Sequence, residues 1–231
     1  EEHPEALASR GRLGGMLSEQ GEHQEALELF HGLLPVQERV FGKDHPRTLS
    51  SMSQMVGLLL HAGSAPQAVE MQRELLHRQQ QVLGEQHAHT VVSKSKLSTM
   101  LSDQGKHQEA LPLFQACFEG RKKELGERHK GTLDSMYGVA KSLSRLARHA
   151  EALRVFTECL PLMEETNHPW LSSLRALLSD CQKALDSSQP SPSPSFSSAA
   201  ASSSASPEVC GRSILSIFPP CGCFPFPAFS S

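Results

Sequence analysis

The sequence lacks an excess of charge of either sign. Its 231 residues include 22 lysines and arginines and 25 aspartates and glutamates, so the net charge is −3. Proteins that bind nucleic acid usually carry a basic stripe and a high isoelectric point, because they neutralise phosphates. The near-neutral balance therefore argues against nucleic acid as a partner.

No apolar run is long enough to cross a bilayer, and no N-terminal signal peptide is visible. Three of the six cysteines, Cys117, Cys159 and Cys181, occupy apolar helical positions, which is typical of free thiols in a core. Both features favour a reducing, cytoplasmic setting. Because the chain starts at Glu1 without an initiator Met, we expect it to be a fragment of a longer protein.

Motifs for catalysis are also missing. The sequence has no glycine-rich phosphate loop after a strand, no nucleophile elbow and no obvious strand. An active site needs a nucleophile, a base and a third group that converge in a pocket, whereas Cys117 and Cys159 fall in a predicted core column. The sequence thus predicts a protein that is not an enzyme and needs no cofactor.

What the sequence does contain is a tandem repeat. Residues 21–27, Gly-Glu-His-Gln-Glu-Ala-Leu, return almost unchanged at 105–111, and weaker copies occupy 63–69 and 147–153. The same 42-residue period separates four histidines: His3, His45, His87 and His129. A fixed period of this size indicates stacked supersecondary units, each of which buries its apolar face only against its neighbours.

Each unit is predicted to be a helical hairpin. Its apolar residues fall at helical spacing in two blocks, and in the second unit Gly63 separates the blocks. Glycine is well suited to end one helix and reverse the chain. Pro4, Pro46 and Pro169 are expected at the first position of a helix, where the missing N–H costs nothing.

Aligned at the repeat period, the units share columns that predict the core. One inward apolar column is expected to hold Leu13, Met55, Leu97 and Val139. A uniformly small column, which suggests close approach of the two helices of a hairpin, holds Ala26, Ala68, Ala110 and Ala152. A phenylalanine column holds Phe30, Phe114 and Phe156.

Two features break this regularity. Gln72 interrupts the phenylalanine column and predicts a weaker second unit. Pro35 and Pro161 lie inside second helices, where proline should kink or shorten a helix, so we expect irregular second helices in the first and fourth units.

The composition divides the chain into three parts. The repeat array is expected at 3–185, with units at 3–44, 45–86, 87–128 and 129–167 and a terminal helix at 168–185. Residues 186–207, rich in Ser, Pro and Ala, are predicted to be a disordered linker. Residues 208–231 form an apolar tail with Cys, Phe and Pro, which is either an unstructured end without a role or a docking or lipid-modified segment. Only such lipid modification would bring the chain to a membrane.

The hairpins resemble tetratricopeptide repeats of the 42-residue kinesin-light-chain variety. The resemblance rests on residues 45–52, His-Pro-Arg-Thr-Leu-Ser-Ser-Met, and on 105–113, Gly-Lys-His-Gln-Glu-Ala-Leu-Pro-Leu, and it covers about 3–185. It implies an all-α solenoid, a right-handed superhelix of helical hairpins whose first helices line a concave groove that holds a peptide.

The resemblance also implies which residues face that groove. By family position they include Ser53, Gly57, Leu60, His61, Ser95, Thr99, Asp103, Tyr137, Lys141 and Arg145. Kinesin light chains carry an asparagine pair in each first helix, but here the corresponding pairs include Ser53-Gln54 and Ser95-Lys96. The peptide specificity of that family is therefore not transferred.

Tyr137, Lys141 and Arg145 fall on one face of the fourth unit's first helix. They form either a solvated basic face or a clamp for an acidic peptide, because arginine grips a carboxylate with two parallel hydrogen bonds and tyrosine offers a flat apolar surface. Lys96 and Arg175 would extend this patch if the fold brings them alongside.

Eight of the twelve histidines recur at structural positions, which favours capping and packing over a metal site. Five lie at the links of the repeat and three at the hairpin turns: His3, His45, His87, His129 and His168, then His23, His107 and His149. We therefore expect no bound metal, and we expect a non-catalytic scaffold whose partner is a protein or a peptide. Two alternatives stay open: a regulatory or sensor segment of a larger nucleotide-switch protein, and a kinesin-linked cargo adaptor.

Overall fold

The computed structural model describes residues 3–188, and within that range it contains nine helices and no strand. The first helices of the repeats are α1 (Pro4–Gln20), α3 (Pro46–His61), α5 (Ala88–Asp103) and α7 (Lys130–Arg145). The second helices are α2 (His23–Phe41), α4 (Ala65–Leu83), α6 (His107–Leu125) and α8 (His149–Glu165). A last helix, α9 (Leu171–Ser188), follows. The all-α prediction is confirmed.

A histidine starts each first helix, and it does so as a hydrogen-bond acceptor. The Nδ1 atoms of His3, His45, His87 and His129 each accept the backbone N–H two residues further on, at 3.1–3.4 Å. This is the role that Ser, Asp or Asn usually plays at an N-cap. Pro4 and Pro46 occupy the first helical turn, as expected, but Pro169 lies in a turn before α9 rather than at its first position.

Glycines in the left-handed region end most of the helices. Gly21, for example, has φ 88° and its N–H bonds the carbonyls of Leu17 and Ser18, which reverses the chain between α1 and α2. The fourth hairpin has no glycine at this point, and Ala147 adopts φ 57° instead.

The helices stack in chain order. Each packs mainly on the helix that follows it, and α1 also touches α3, α5 touches α7, and α7 touches α9. One apolar core runs through the stack from Leu7 on α1 to Cys181 on α9. Because contacts link only near neighbours in sequence, the described residues form a solenoid rather than a globule.

Most of the predicted core columns are buried. The four alanines of the small column are completely buried, and so are Phe30 and Phe156. Gln72 is buried at the interrupted position of the phenylalanine column, where its amide Nε2 donates to the backbone carbonyl of Ser93 at 3.1 Å. A hydrogen-bonded side chain thus fills that gap.

The prediction that Leu13 lies in the core is wrong. Leu13 is 48% exposed, whereas Met55, Leu97 and Val139 are 1–4% exposed. These three lie on α3, α5 and α7, each of which packs on the second helix of the preceding unit, whereas α1 has no such neighbour among residues 3–188.

Pro35 does not shorten its helix. α2 has 19 residues, as do α4 and α6, whereas α8, which contains Pro161, has 17. A proline removes only one hydrogen bond of the helix ladder, and neighbouring helices hold α2 along its length.

The last helix extends beyond its predicted C-terminal boundary. α9 continues to Ser188, three residues into the segment predicted as a linker at 186–207. The rest of that segment and the apolar tail at 208–231 lie outside the described residues. None of the helices within residues 3–188 has the length and apolar character required to span a membrane.

Candidate peptide groove

Among the cavities between the first helices, two adjoin each other. One, of about 480 Å³, lies between α3 and α5, and the other, of about 450 Å³, lies between α5 and α7. Ser95, Thr99 and Asp103 on α5 line both cavities, so the two form one continuous trough, which we call the first-helix groove.

The α3–α5 cavity is mainly apolar. Gly57 and Leu60 line it together with Val56 and Met100. Leu60 is 43% exposed, and no atom lies within 4 Å of where a Cβ of Gly57 would be. The cavity is therefore open on its α3 side.

Aromatic rings line the α5–α7 cavity. Tyr137 and Trp170 stack with their planes 6° apart and their centroids 6.0 Å apart, and Trp170 is 49% exposed. Phe114 also lines the cavity, because Gly138 leaves room for its ring: a Cβ at Gly138 would come within 2.4 Å of it. The cavity thus offers two nearly parallel rings, those of Tyr137 and Trp170, and the ring of Phe114.

Charged groups flank these rings. Lys141 Nζ lies 3.8 Å from Asp103 Oδ1 across the groove. Asp134, on the same cavity wall, lies 3.4 Å from Nε2 of the buried His168. Burial raises the pKa of Tyr137, although a hydrogen bond to Ser173 opposes this effect. Tyr137 therefore stays a neutral phenol at physiological pH.

Seven of the ten predicted groove residues line the two cavities: Gly57, Leu60, Ser95, Thr99, Asp103, Tyr137 and Lys141. Ser53, His61 and Arg145 do not line them. His61 instead stacks on His23 at 4.2 Å, and its Nδ1 lies 2.8 Å from the carbonyl oxygen of Gly57.

Arg145 lies at the C-terminal end of α7, and its charge lowers the pKa of a neighbouring histidine. Burial lowers the pKa of His107, and the positive charges of Lys141 and Arg145 lower it further. His107 Nδ1 lies 3.4 Å from the hydroxyl of Ser102. The predicted three-residue clamp is therefore divided, with two members in the cavity and the third beside it.

The predicted extensions of the basic patch do not join it. Arg175 pairs with Glu164 at 2.6 Å. Lys96 lines the α3–α5 cavity and not the one that contains Tyr137 and Lys141.

Sequence reasoning missed Trp170 and Phe114 as groove residues. Phe114 was assigned to the core column, and it is indeed 6% exposed, but its ring also reaches the cavity beside Gly138. Trp170 falls in the last junction, where the interval between histidines shortens from 42 to 39, so it has no equivalent in the other units. The only available signal was that Trp170 is the single tryptophan of the chain.

The three cysteines of the array lie in the core. Cys117, Cys159 and Cys181 are free and buried, and burial raises the pKa of Cys117 to about 11 and that of Cys159 to about 12. A thiol with such a pKa does not form the reactive thiolate at neutral pH. Within residues 3–188, no group of three or more His, Cys, Asp or Glu side chains is placed to hold a metal ion.

The stacked hairpins and their groove define the chain as an α-solenoid of helical repeats. The family model of the tetratricopeptide repeat matches three overlapping stretches, residues 5–81, 49–123 and 92–165. The chain therefore belongs to the tetratricopeptide repeat family.

Solved structures agree with this fold. One holds TPR-like repeats that are nearly identical to one another, from a Podosopora anserina protein described as a kinesin light chain. It has 23% identity and a TM-score of 0.66, and the match covers 81% of this chain and 90% of that one. Another is a double mutant of MamA RS-1, with 12% identity, a TM-score of 0.53 and coverage of 78% and 97%. At these identities the likeness shows the fold alone. Among curated proteins, none matches the chain.

Proposed function

We propose that this chain is a non-catalytic scaffold that binds a peptide segment of a partner protein in the first-helix groove. Tetratricopeptide repeats generally mediate protein–protein interaction. The observation that carries the proposal is the stack of the partly buried Tyr137 on the half-exposed Trp170, which lines a cavity of about 450 Å³ together with Lys141. Solvent-exposed aromatic rings are enriched at the centres of protein interfaces.

The chemistry of the groove favours an acidic peptide with apolar side chains. The rings of Tyr137 and Trp170 and the surface of Leu60 suit apolar side chains, while Lys141 supplies a cation in the cavity that holds the rings. Its ion pair with Asp103 is long, at 3.8 Å, and exposed, so it contributes little and a ligand carboxylate can compete for Lys141. Affinity then comes from burial on a surface that is formed before binding.

A labelled library of acidic peptides with apolar anchors tests this proposal by fluorescence anisotropy. The variant Lys141→Glu/Arg145→Glu should bind roughly tenfold or more weakly, because both charges now repel a carboxylate. Trp170→Ala should weaken binding as well, through the loss of its ring.

Lys130→Glu/Arg154→Glu is the matched control, since it changes the net charge equally and neither residue lines a cavity of the groove. If the two double variants bind alike, the clamp at Lys141 is wrong. If neither the Trp170→Ala variant nor the charge reversal alters binding, the groove is not the binding site.

A further inference from the structure

Two side chains of α7 place opposite charges along the α5–α7 cavity. Asp134, Tyr137 and Lys141 are spaced i, i+3 and i+7, so they lie on one face of the helix, and all three line the cavity. At a rise of about 1.5 Å per residue, Asp134 and Lys141 stand about 10 Å apart along the helix axis. A carboxylate and an ammonium group thus flank the position of Tyr137.

Asp134 is the carboxylate of this cavity that has no cationic partner. Asp103, the other carboxylate, lies 3.8 Å from Lys141 Nζ. Within residues 3–188, Asp134 Oδ1 meets Nε2 of His168 at 3.4 Å, and no lysine or arginine pairs with it. The Asp134 side chain is 38% exposed, so a ligand can reach the carboxylate.

Arg121 lines the same cavity, but its hydrogen bonds hold it elsewhere. Its Nη1 atom donates to the backbone carbonyl of Gly131 at 2.9 Å and to the hydroxyl of Ser135 at 2.8 Å. These bonds tie the guanidinium to the first turns of α7, and it forms no ion pair with Asp134. The negative charge of Asp134 is therefore available to a ligand.

The buried ring of His168 fixes this carboxylate and Trp170 relative to each other. His168 Nδ1 accepts the backbone N–H of Trp170 at 3.3 Å, so the proton of the neutral ring lies on Nε2, the atom that faces Asp134. The His168 side chain is only 1% exposed. One packed imidazole thus holds both groups in place before a ligand arrives, which lowers the ordering cost of binding.

Trp170 presents ring surface on the same cavity wall. Tyr137 stacks on it at 6.0 Å between ring centroids, yet 49% of Trp170 stays exposed. The face of an aromatic ring attracts a cation within about 6 Å, and tryptophan does so most strongly. A nearby carboxylate adds Coulombic attraction, which favours a cation over a neutral apolar group.

We propose that Asp134 and Trp170 form a site, which we call the cation site, for an arginine or lysine side chain of the peptide in the first-helix groove. The cation site rests on the proposed function and adds a second charge to the ligand. The acidic residue of the peptide pairs with Lys141, and a basic residue stacks on Trp170 beside Asp134.

The cation site also sets the spacing of the two charges in the ligand. In a polyproline II peptide, residues i and i+3 face the same side and lie about 9 Å apart. This distance is close to the separation of about 10 Å between Asp134 and Lys141 along α7. The groove therefore favours a peptide with a basic residue three positions from an acidic one.

Fluorescein-labelled peptides with one arginine and one aspartate three positions apart, in both orders, supply the probe. The order that binds the full chain more tightly is compared by anisotropy with the same peptide carrying citrulline, which keeps the shape of arginine and lacks its charge. The citrulline peptide should bind roughly tenfold more weakly. The Asp134→Asn variant should bind the two peptides within about twofold of each other.

Asp44→Asn is the matched control, since Asp44 is exposed and lines neither cavity of the groove. It removes the same charge and should keep the full preference for arginine. Trp170→Leu should reduce that preference, and Trp170→Phe should retain part of it, because a phenylalanine ring attracts a cation more weakly than a tryptophan ring does.

Three results overturn the cation site: equal affinity of the wild-type chain for the arginine and citrulline peptides, an arginine preference that Asp134→Asn leaves intact, or no saturable binding of either order of charge. Acidic peptides without arginine that still bind, and bind the Trp170→Ala variant more weakly, would keep the peptide-groove proposal standing. That proposal fails separately if Trp170→Ala and Lys141→Glu/Arg145→Glu leave the binding of every peptide unchanged.

Discussion

Single glycines set how closely first helices approach aromatic rings. A Cβ at Gly138 would lie 2.4 Å from the ring of Phe114, and a Cβ at Gly14 would lie 2.6 Å from the ring of Phe30. Neither glycine has a positive φ, so the requirement is space and not backbone freedom. At Gly138 this close contact also shapes the floor of the groove.

Gly138→Ala should lower the free energy of unfolding by about 1–3 kcal/mol, because the added methyl group overpacks against Phe114. Gly57→Ala is the matched variant on α3, where nothing lies within 4 Å of the new Cβ. It should raise the free energy of unfolding by about 0.5–1 kcal/mol, since alanine is the better helix former. Urea denaturation measures both. Equal effects of the two substitutions would contradict a steric role for Gly138.

His107 reports on the charges of the groove. Its pKa is lowered first by burial and then by Lys141 and Arg145, while Asp103 opposes them. Lys141→Gln should therefore raise the pKa of His107, although burial keeps it below the ordinary value. An NMR titration of the His107 ring measures this shift, and Arg154→Gln, which removes a cation outside the groove, is the control. A pKa of His107 that does not move with Lys141 would contradict the electrostatic coupling.

The same lowered pKa links His107 to stability. Because the unfolded chain takes up a proton at His107 at a higher pH than the folded chain does, the contribution of His107 to stability is complete above its ordinary pKa. That contribution is lost as the pH falls through the ordinary value to the lowered one. His107→Gln should therefore reduce the loss of stability on mild acidification.

At the scale of the helix, a histidine replaces the usual N-cap residue. Within residues 3–188, five histidines at the links between units each accept the backbone N–H two residues further on at their Nδ1 atom. The fifth is His168, which accepts the N–H of Trp170 at 3.3 Å. An unpaired N–H at a helix start costs free energy, and a ring nitrogen accepts this N–H as a side-chain oxygen would.

His129→Ala should lower the free energy of unfolding by about 1 kcal/mol, because the N–H of Gly131 loses its acceptor at 3.1 Å. His129→Asn should restore most of that loss. His77→Ala, on the exposed face of α4, should change stability by no more than about 0.5 kcal/mol. Thermal and urea unfolding compare the three variants, and an asparagine variant as unstable as the alanine one would rule out capping.

At the scale of the whole array, each helix is stabilised by its near neighbours in the chain. No contact links α1 or α2 to α7, α8 or α9 within the described residues. In such an array, a destabilising substitution in one unit increases local unfolding of the adjoining units more than that of distant units.

Leu33→Ala should lower stability by about 2–5 kcal/mol, because Leu33 on α2 is completely buried. Amide hydrogen exchange should become faster in α1 to α3 and stay unchanged in α7 to α9. Leu174→Ala, at the equally buried Leu174 on α9, should give the mirror-image pattern. Uniform acceleration along the array in both variants would instead show one cooperative unit.

Much of the fold follows from the repeat. The 42-residue period located the hairpins, the alanine column and the histidine caps, because each depends on contacts that recur in every unit. The groove residues were predicted from the resemblance to kinesin-light-chain repeats, and seven of those ten line the cavities, including Tyr137 and Lys141. Their role in binding stays a prediction.

The exceptions lie near α1 and α9, the first and last helices of the described residues. Leu13 was assigned to the core because its column is apolar, but a column does not state whether a preceding helix is there to cover it. Trp170 was missed because the shortened junction has no equivalent in the other units.

The sequence by itself determined the period, the helices and their caps, since these depend on spacing and on hydrogen bonds between residues a few positions apart. Only the tertiary structure decided which apolar residues stay exposed and which rings meet in the groove. Burial and ring stacking depend on which helices lie side by side, and near α1 and α9 that neighbourhood differs from the one the repeat implies.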